Sequence, residues 1–517
     1  MALLRSIATV GGWTMGSRVL GFVRDILIAN VLGAGMVADA FFVAFKFPNF
    51  FRRLFAEGAF NAAFVPLFGR RLHEDGLAAA RLFAGDVASV LIAWLLVFTA
   101  AVMAAMPWVM LVIAPGFVDM PEKFALTVEL ARIAFPYLLF MALTALLSGV
   151  LNSLERFSAA AAAPILLNVV LIATLVLVLS GLVPRPGHAL AWGVCVGGVA
   201  QFILLAVATN RADALFSLPR PRMTPGVRRV LKLMASGVVG AGVVQINLVI
   251  GTILATQVGE GAVSFLYYAD RINQLPLGVV GVAVGIALLP LLTRQLRTGA
   301  ESAASESQNR AIEIALLLTV PATAALIAIP DPIVTVLYQH GRFDAATAAA
   351  TSAALRAYAI GLPAYVLIKA LTPGFFARED TATPVKIAAV AVALNIVLAI
   401  VLMQVMAHVG IALATALAAW VNALALGVVL RRRGHLAIDL RLRQRAPRTL
   451  LASVLMGALL WAGAPLLEPW LAGTLAMRIA ALVVLVGGGL AAFGVLAQIT
   501  GAGSVAEIKT MLRRRAS

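Results

Sequence analysis

Long apolar segments separated by short polar connections make up most of this chain. A helix needs about 20 residues to cross the hydrocarbon core of a bilayer, and fourteen segments approach or exceed that length. They lie near residues 7–30, 39–65, 82–112, 126–150, 162–181, 189–209, 229–256, 264–292, 310–329, 350–376, 384–404, 409–430, 449–467 and 478–500. The pattern predicts an all-α polytopic membrane protein with fourteen transmembrane helices.

Composition supports the same class of protein. Of the 517 residues, 62% are hydrophobic and 12% are charged, and the mean hydropathy is +0.99. Soluble domains are about 45–50% apolar and about 25% charged. The net charge of +17 could indicate nucleic-acid binding, but most of the surplus lies in short loops between apolar segments, where it orients a membrane protein. Nucleic acid is therefore not an expected partner.

The basic loops give an orientation. Most loop Lys and Arg residues fall on the side that holds both termini, and the few on the opposite side are Lys123, Arg185, Arg342 and Arg478. Because cytoplasmic loops carry the excess of Lys and Arg, both termini are predicted to be cytoplasmic.

Two halves of the chain repeat. Pro66 in FVPLFGRRL recurs as Pro290 in LLPLLTRQL, and Gly149 in SGVLN recurs as Gly374 in PGFFA, with spacings of 224 and 225 residues. Six helices separate equivalent positions, which is typical of a parallel transporter repeat. We therefore expect an N-lobe of helices 1–6 (1–220), a C-lobe of helices 7–12 (221–435), and a C-terminal appendage of helices 13 and 14 with a basic tail (436–517).

Several cations interrupt the predicted spans. Arg18, Arg24, Arg52 and Arg271 are the candidates for a substrate site, since an arginine at the bilayer centre costs about 2.5–3.5 kcal/mol on insertion scales. A guanidinium is a fork of donors that fits phosphate oxygens, so the set indicates a cavity for a phosphorylated ligand. The alternative is that these side chains snorkel to the interface or form structural ion pairs.

Motifs of other chemistries are missing from the sequence. It contains no GxxxxGK[ST] nucleotide loop, no GxSxG nucleophile elbow, and no HExxH or cysteine cluster suited to zinc. We therefore propose no metal site and no cofactor, and a secondary transporter fits better than an enzyme.

Four long segments carry a family resemblance: GSRVLGFVRD (16–25), GAGMVADAFFVAFKFPNFFRRLFAEGAFNAAFVPLF (33–68), YYADRINQLPLGVVGVAVGIALLP (267–290) and PGFFAREDTATPVKIA (373–388). They resemble the MurJ (MviN) lipid II flippases of bacterial peptidoglycan synthesis, within the multidrug/oligosaccharidyl-lipid/polysaccharide (MOP) exporter superfamily. The likeness runs from the N-terminus to about residue 500.

The resemblance implies an inner-membrane flippase with two six-helix lobes around a cationic cavity. It would move lipid II, the undecaprenyl-diphosphate-linked disaccharide-pentapeptide, to the outer leaflet by alternating access. Lipid II and membrane lipids are then the partners, with the cell-wall synthesis machinery as a further candidate. Helices 13 and 14 would form a groove for the lipid tail. The functional positions that match the family are Arg18, Arg24, Asp39, Arg52, Arg53, Glu57 and Arg271.

A second set of charges has expected gating or structural roles: Asp25, Asp39, Arg53, Glu57 and Asp270. Arg53 and Glu57 are four residues apart and can pair on one helix face. Asp39 with Arg24, and Asp270 with Arg271, could close an outer gate.

Other readings remain. Another polysaccharide-lipid or multidrug exporter could share the architecture, although a cavity for cationic drugs would be lined with acids. A non-transporting membrane scaffold would use the charges for helix packing alone. A membrane-embedded transferase would need a clustered acid or metal constellation, which the cytoplasmic loops do not contain.

Overall fold

The computed structural model describes residues 2–53 and 60–503, and the side chains within these ranges except at 2–8, 236–244, 246 and 279–287. All regular elements in these ranges are helical, as predicted. They are α1 (Ala2–Leu32), α2 (Met36–Phe51), α3 (Phe60–Glu74), α4 (Gly76–Ala104), α5 (Met106–Ile113), α6 (Pro121–Ala134), α7 (Tyr137–Ser153), α8 (Phe157–Leu179), α9 (Pro186–Asn210), α10 (Pro225–Thr256), α11 (Ala262–Arg297), α12 (Glu301–Ala328), α13 (Pro330–Tyr338), α14 (Ala345–Phe376), α15 (Ala382–Arg432), α16 (Leu440–Gly463), α17 (Glu468–Leu471) and α18 (Leu475–Thr500).

Many of these helices are suited to a bilayer. Within the described ranges, nine helical segments are long and apolar enough to cross a membrane. The longest, α15, covers two predicted spans and contains a break at Ala407, whose φ of 50° and ψ of −133° are not helical. A side chain at Gly410 would collide with the backbone of Leu402, a residue that an unbroken helix would hold about 12 Å away along its axis. The chain therefore turns back at Ala407.

The chain packs into two compact units. The first contains Met1–Ser264 and His340–Phe343, and the second contains Phe265–Gln339 and Asp344–Ser517. In the first unit α10 packs against α3, α4 and α5. The lobe boundary at residue 220 stays a prediction. It marks where the sequence repeat begins again, whereas the units above are defined by packing within one conformation.

Stacked aromatic rings form part of the core of the first unit. The Phe64 ring stacks on Phe60 and Phe83, with centroid distances of 5.2 and 5.7 Å, and all three side chains are buried. Gly149 of α7 lies against Phe64, and a Cβ added there would be 3.1 Å from the ring. The small residue therefore lets α7 approach α3 closely.

The same arginine contact occurs once in each unit. In the first unit Arg132 Nε donates to the carbonyl oxygen of Met103, in the last turn of α4, at 3.0 Å. In the second unit Arg356 Nε donates to the carbonyl oxygen of Ile327, in the last turn of α12, at 3.2 Å. Donor and acceptor are 29 residues apart in both cases. Each guanidinium thus satisfies a carbonyl that the end of a helix leaves without an intrahelical partner.

A buried carboxylate joins α12 to α16 in the second unit. Glu313 of α12 is 8% exposed and accepts hydrogen bonds from Arg310, from Arg441 at 3.2 Å and from Arg445 at 2.7 Å. Arg310 also donates to Asp439, whose side chain caps α16 by accepting from Leu442 N at 2.7 Å. We call these five charged residues, Arg310, Glu313, Asp439, Arg441 and Arg445, the Glu313 hub.

Candidate functional site

Arg24 is held in a polar network where α1 packs against α8. The residue is 8% exposed, and its Nη2 and Nε donate to Asp25 Oδ1 at 2.7 and 3.1 Å. Its Nη1 donates to Asn168 Oδ1 at 2.9 Å, and Asn168 Nδ2 donates to the carbonyl oxygen of Ser17 at 2.9 Å. The adjacent carboxylate therefore compensates the charge of Arg24, as in the structural ion pair that the sequence analysis gave as the alternative.

Asp39 lies in the first turn of α2 and is wholly buried. Its Oδ2 accepts from Lys123 Nζ at 2.7 Å and from Gly261 N at 2.8 Å, and its Oδ1 accepts from Ser264 N and Ser264 Oγ at 3.0 and 2.6 Å. The expected pairing of Asp39 with Arg24 was wrong for this structure. Asp39 pairs with a cation of α6, and Arg24 pairs with its own neighbour.

Lys123 is the residue that sequence reasoning misplaced. It was expected in an outer loop, whereas it belongs to the start of α6, is 1% exposed and lies with Nζ 4.2 Å from the centroid of the Phe117 ring. A buried charge is retained at tolerable cost only when it is paired and hydrogen-bonded. Because Asp39 falls within a predicted span, its carboxylate indicated that a cation lies nearby. Lys123 was one of the four Lys and Arg residues predicted on the outer side of the membrane.

The arginines that follow α2 differ in exposure. Arg52 is half-buried, and its Nε donates to Asn49 Oδ1 at 3.0 Å. Arg53 is exposed. Its predicted partner Glu57 lies outside the described residues, so that pairing stays a prediction.

Two further cations of the first unit are accessible. Arg18 is exposed, and its side chain has no ion pair or hydrogen bond with another residue in the described part of the chain. Lys46 is also exposed, and its Nζ donates to Thr252 Oγ1 of α10 at 3.2 Å. Of Arg18 and Arg24, the two α1 arginines whose side chains are described, Arg18 is therefore better placed to meet an external anion.

The remaining two candidates lie in α11 in the second unit. The Arg271 guanidinium lies over the Tyr267 ring, 4.7 Å from its centroid, in a cation–π contact. Asp270 accepts a hydrogen bond from Gln274 Nε2. The predicted pairing of Asp270 with Arg271 stays a prediction, as does the grouping of Arg271 with the arginines of the first unit.

An apolar cavity of about 340 Å³ lies between α16 and α18 in the second unit. It is lined by Leu459, Leu460, Gly463, Leu466, Leu467, Val484, Leu485, Gly488, Gly489 and Ala492. Gly489 allows a close approach, since a Cβ there would be 3.1 Å from a Leu460 methyl carbon. The lining suits a hydrocarbon chain and contains no charged residue.

Comparison with known proteins decides the family. The family model described as "Lipid II flippase MurJ" matches residues 28–481. The chain belongs to the MurJ family. It is 47% identical over 520 residues to a probable lipid II flippase MurJ of Rhizobium tropici, covering all of this chain and 97% of the relative. It is 39% identical over 439 residues to the lipid II flippase MurJ of Burkholderia cenocepacia, covering 84% and 85% of the two chains.

Solved structures agree in fold. A structure described as "Lipid II flippase MurJ, inward closed conformation" matches with a TM-score of 0.77 and 24% identity, covering 95% of this chain and 98% of the other. An inward-facing multidrug resistance MATE transporter of the MOP superfamily matches with a TM-score of 0.67 and 16% identity, over 81% and 94%. The family resemblance found in the sequence is confirmed, and this MurJ family member is a multi-pass protein of the bacterial inner membrane and a transporter rather than an enzyme.

Proposed function

We propose that the chain moves lipid II from the cytoplasmic to the outer leaflet by alternating access, for peptidoglycan synthesis. The observation that carries the proposal is 47% identity to a probable lipid II flippase along the whole chain. The proposed architecture has fourteen spans, two six-helix lobes (1–220 and 221–435), a two-helix appendage (436–517) and cytoplasmic termini. Arg132 and Arg356 support the repeat, because they make the same contact 224 residues apart.

The substrate site that we propose uses arginines to bind the diphosphate. Arg18 and Arg52 are accessible enough to make the first contacts, and Arg271 would add a third guanidinium. Arg24 already donates to Asp25 and Asn168, so it joins the set by exchanging the neutral Asn168 for a phosphate oxygen. A charged acceptor forms the stronger hydrogen bond with a guanidinium, which favours the exchange when substrate is bound.

The apolar cavity between α16 and α18 would receive the prenyl tail. Its walls are aliphatic or glycine, and each buried CH₂ of a ligand contributes about 0.8 kcal/mol. The headgroup would then change sides while the tail stays in an apolar environment. Partners from the cell-wall synthesis machinery stay a prediction.

Closure toward the outside would depend on Asp39. Its carboxylate holds Lys123 of α6 and the backbone and hydroxyl of Ser264, in the first turn of α11. Because an outward opening must separate helices on that side, we propose that it breaks the bonds to Ser264 while the Lys123 pair is kept. The carboxylate then stays neutralised in both states.

The membrane potential is the proposed driving force. Moving one negative charge outward across an inside-negative membrane releases about 2.3 kcal/mol per 100 mV, so a diphosphate with about two charges releases nearly twice that. Dissipating the potential in proteoliposomes, with ion gradients held fixed, should slow flipping of lipid II. Undiminished flipping would rule out this driving force without affecting the assignment of substrate.

The substrate assignment has its own test. Purified protein in vesicles should expose labelled lipid II to an external enzyme that modifies its headgroup, and Arg52→Lys should slow this roughly tenfold because lysine lacks the bidentate fork. Arg81→Lys, at an exposed position of α4, is the matched control. A protein that exposes other polyprenyl-diphosphate sugars but not lipid II belongs to the alternative class of polysaccharide-lipid exporters, and one that exports no lipid is either a multidrug exporter or a non-transporting scaffold.

A further inference from the structure

A basic pocket in the first unit is lined by arginines other than those discussed above. A cavity of about 170 Å³ lies between the end of α3 and the beginnings of α4 and α10. Its lining includes Arg70, Arg71, Arg229, Phe83, Leu67 and Gly226. In the proposed orientation these helix ends face the cytoplasm.

We propose that this cavity binds the phosphate group of an anionic phospholipid of the inner leaflet. Basic pockets between transmembrane helices on the cytoplasmic side are suited to lipid headgroups. The space fits a phosphate group and is too small for a disaccharide-pentapeptide, so the occupant differs from the transported substrate. The inference does not depend on what the protein transports.

Charge is the first argument. The pocket has three guanidinium groups, and among the described residues the acid paired with one of them is Glu74, whose Oε2 is 3.2 Å from Arg70 Nε in an exposed pair. Arg71 is half-buried, with its guanidinium carbon 4.6 Å from the centroid of the Phe83 ring. This contact holds the planar fork in one orientation, which lowers the entropy lost when it binds phosphate.

The beginning of α10 is the second argument. Thr224 caps the helix by accepting from Val227 N, and Pro225 occupies the first turn. Gly226, whose N–H belongs to the same turn, lines the pocket. Backbone N–H groups at a helix N-terminus favour an anion, so this end of α10 adds to the attraction of the three arginines.

The apolar part of the lining favours a lipid over free phosphate. Leu67, Phe83 and Pro225 form part of the wall, and a water-soluble anion would gain nothing from them. Next to Phe83 and Thr224 in the sequence, Leu82 is 66% exposed and Met223 is 53% exposed. Exposed apolar side chains beside a basic pocket match a ligand that has both a phosphate and acyl chains.

Native mass spectrometry of the purified full-length chain, titrated with phosphatidylglycerol and with phosphatidylcholine, tests the proposal. We expect the wild type to retain phosphatidylglycerol preferentially, and the double variant Arg71→Gln with Arg229→Gln to bind it roughly tenfold more weakly, through loss of charged hydrogen bonds. The matched control is Arg81→Gln with Arg222→Gln, which removes the same charge at exposed positions outside the cavity.

Three results would overturn the proposal. Equal loss of phosphatidylglycerol in the pocket and control variants would mean that general surface charge binds it. Equal retention in the wild type and the pocket variant would mean that the lipid binds elsewhere. Stabilisation of the wild type by inorganic phosphate, with no preference for phosphatidylglycerol, would make free phosphate the ligand. Unfolding temperatures in lipid-free detergent check that each variant folds. If the pocket double variant does not fold, the single variant Arg229→Gln, at an exposed position, replaces it.

Discussion

Lys123 donates to Asp39 across 2.7 Å, and both side chains are almost completely removed from solvent. Such a pair adds little net stability compared with well-packed apolar side chains, but it makes each charge depend on the other. The ion pair connects α6 to α2 in the first unit. Its disruption is therefore the first test of the structure.

We predict that Lys123→Met lowers the free energy of unfolding by about 3–5 kcal/mol, because it leaves the Asp39 carboxylate buried without its cation. Chemical unfolding in detergent measures the change. The double variant Lys123→Met with Asp39→Leu should recover much of the loss. The control is Glu74→Gln, which removes the exposed partner of Arg70 and should change the free energy of unfolding by less than about 1 kcal/mol. Equal losses in Lys123→Met and Glu74→Gln would contradict the prediction.

Asn168→Asp should separate stability from transport. A carboxylate at this position still accepts from Arg24 Nη1 but can no longer donate to the Ser17 carbonyl oxygen, so the free energy of unfolding should fall by about 1–3 kcal/mol, which chemical unfolding measures separately from transport. The new charge competes with the substrate diphosphate for Arg24, and lipid II flipping should fall several-fold.

The control for this prediction is Asn210→Asp, the same substitution at the exposed end of α9. Flipping assays on both proteins in matched vesicles give the comparison. Wild-type flipping by Asn168→Asp would remove Arg24 from the proposed binding set.

Arg132→Met and Arg356→Met should destabilise the protein to a similar extent, by about 1 kcal/mol each. Both substitutions leave a helix-terminal carbonyl without its arginine donor. Arg356 also approaches Asp331 Oδ2 at 3.4 Å, but that exposed pair contributes little. Thermal unfolding of the two variants checks the prediction, and a large effect of one alone would mean that the two contacts are not equivalent.

Asp380 gives a pH-dependent prediction outside the membrane spans. Hydrogen bonds from the Thr383 hydroxyl and backbone N–H, together with the Arg433 guanidinium, hold the pKa of this carboxyl well below its usual range. A lowered pKa in the folded state means that the stabilising contribution is present above the unfolded value of about 3.9 and is lost as the pH falls through the folded value.

The melting temperature of Asp380→Ala should therefore be below that of wild type at neutral pH, and the two should converge as the pH falls below about 4. Differential scanning fluorimetry across this range measures the gap. Glu379→Gln is the neighbouring control. A gap that stays constant on acidification would mean that the ionised carboxylate is not the source.

Hydropathy predicted the all-helical class, because crossing a bilayer requires long apolar segments. It did not predict that the segment 82–112 is divided into α4 and α5 at Ala105. The gap between the predicted spans 384–404 and 409–430 does contain Ala407, where α15 breaks. The partners of the buried charges were not predictable in the same way. Whether Asp39 meets Arg24 or Lys123 depends on the rotation and depth of α1, α2 and α6, and a shift of one residue turns a side chain by about 100° around a helix.

The Glu313 hub has a consequence for biogenesis. Glu313 emerges from the ribosome well before Arg441 and Arg445, two of the three cations that surround it in the finished protein. Until α16 is made, Arg310 is the one cation of the Glu313 hub that this carboxylate can contact. A message truncated after α15 should thus yield a product that quality-control proteases remove, even though α1 to α15 have all been translated.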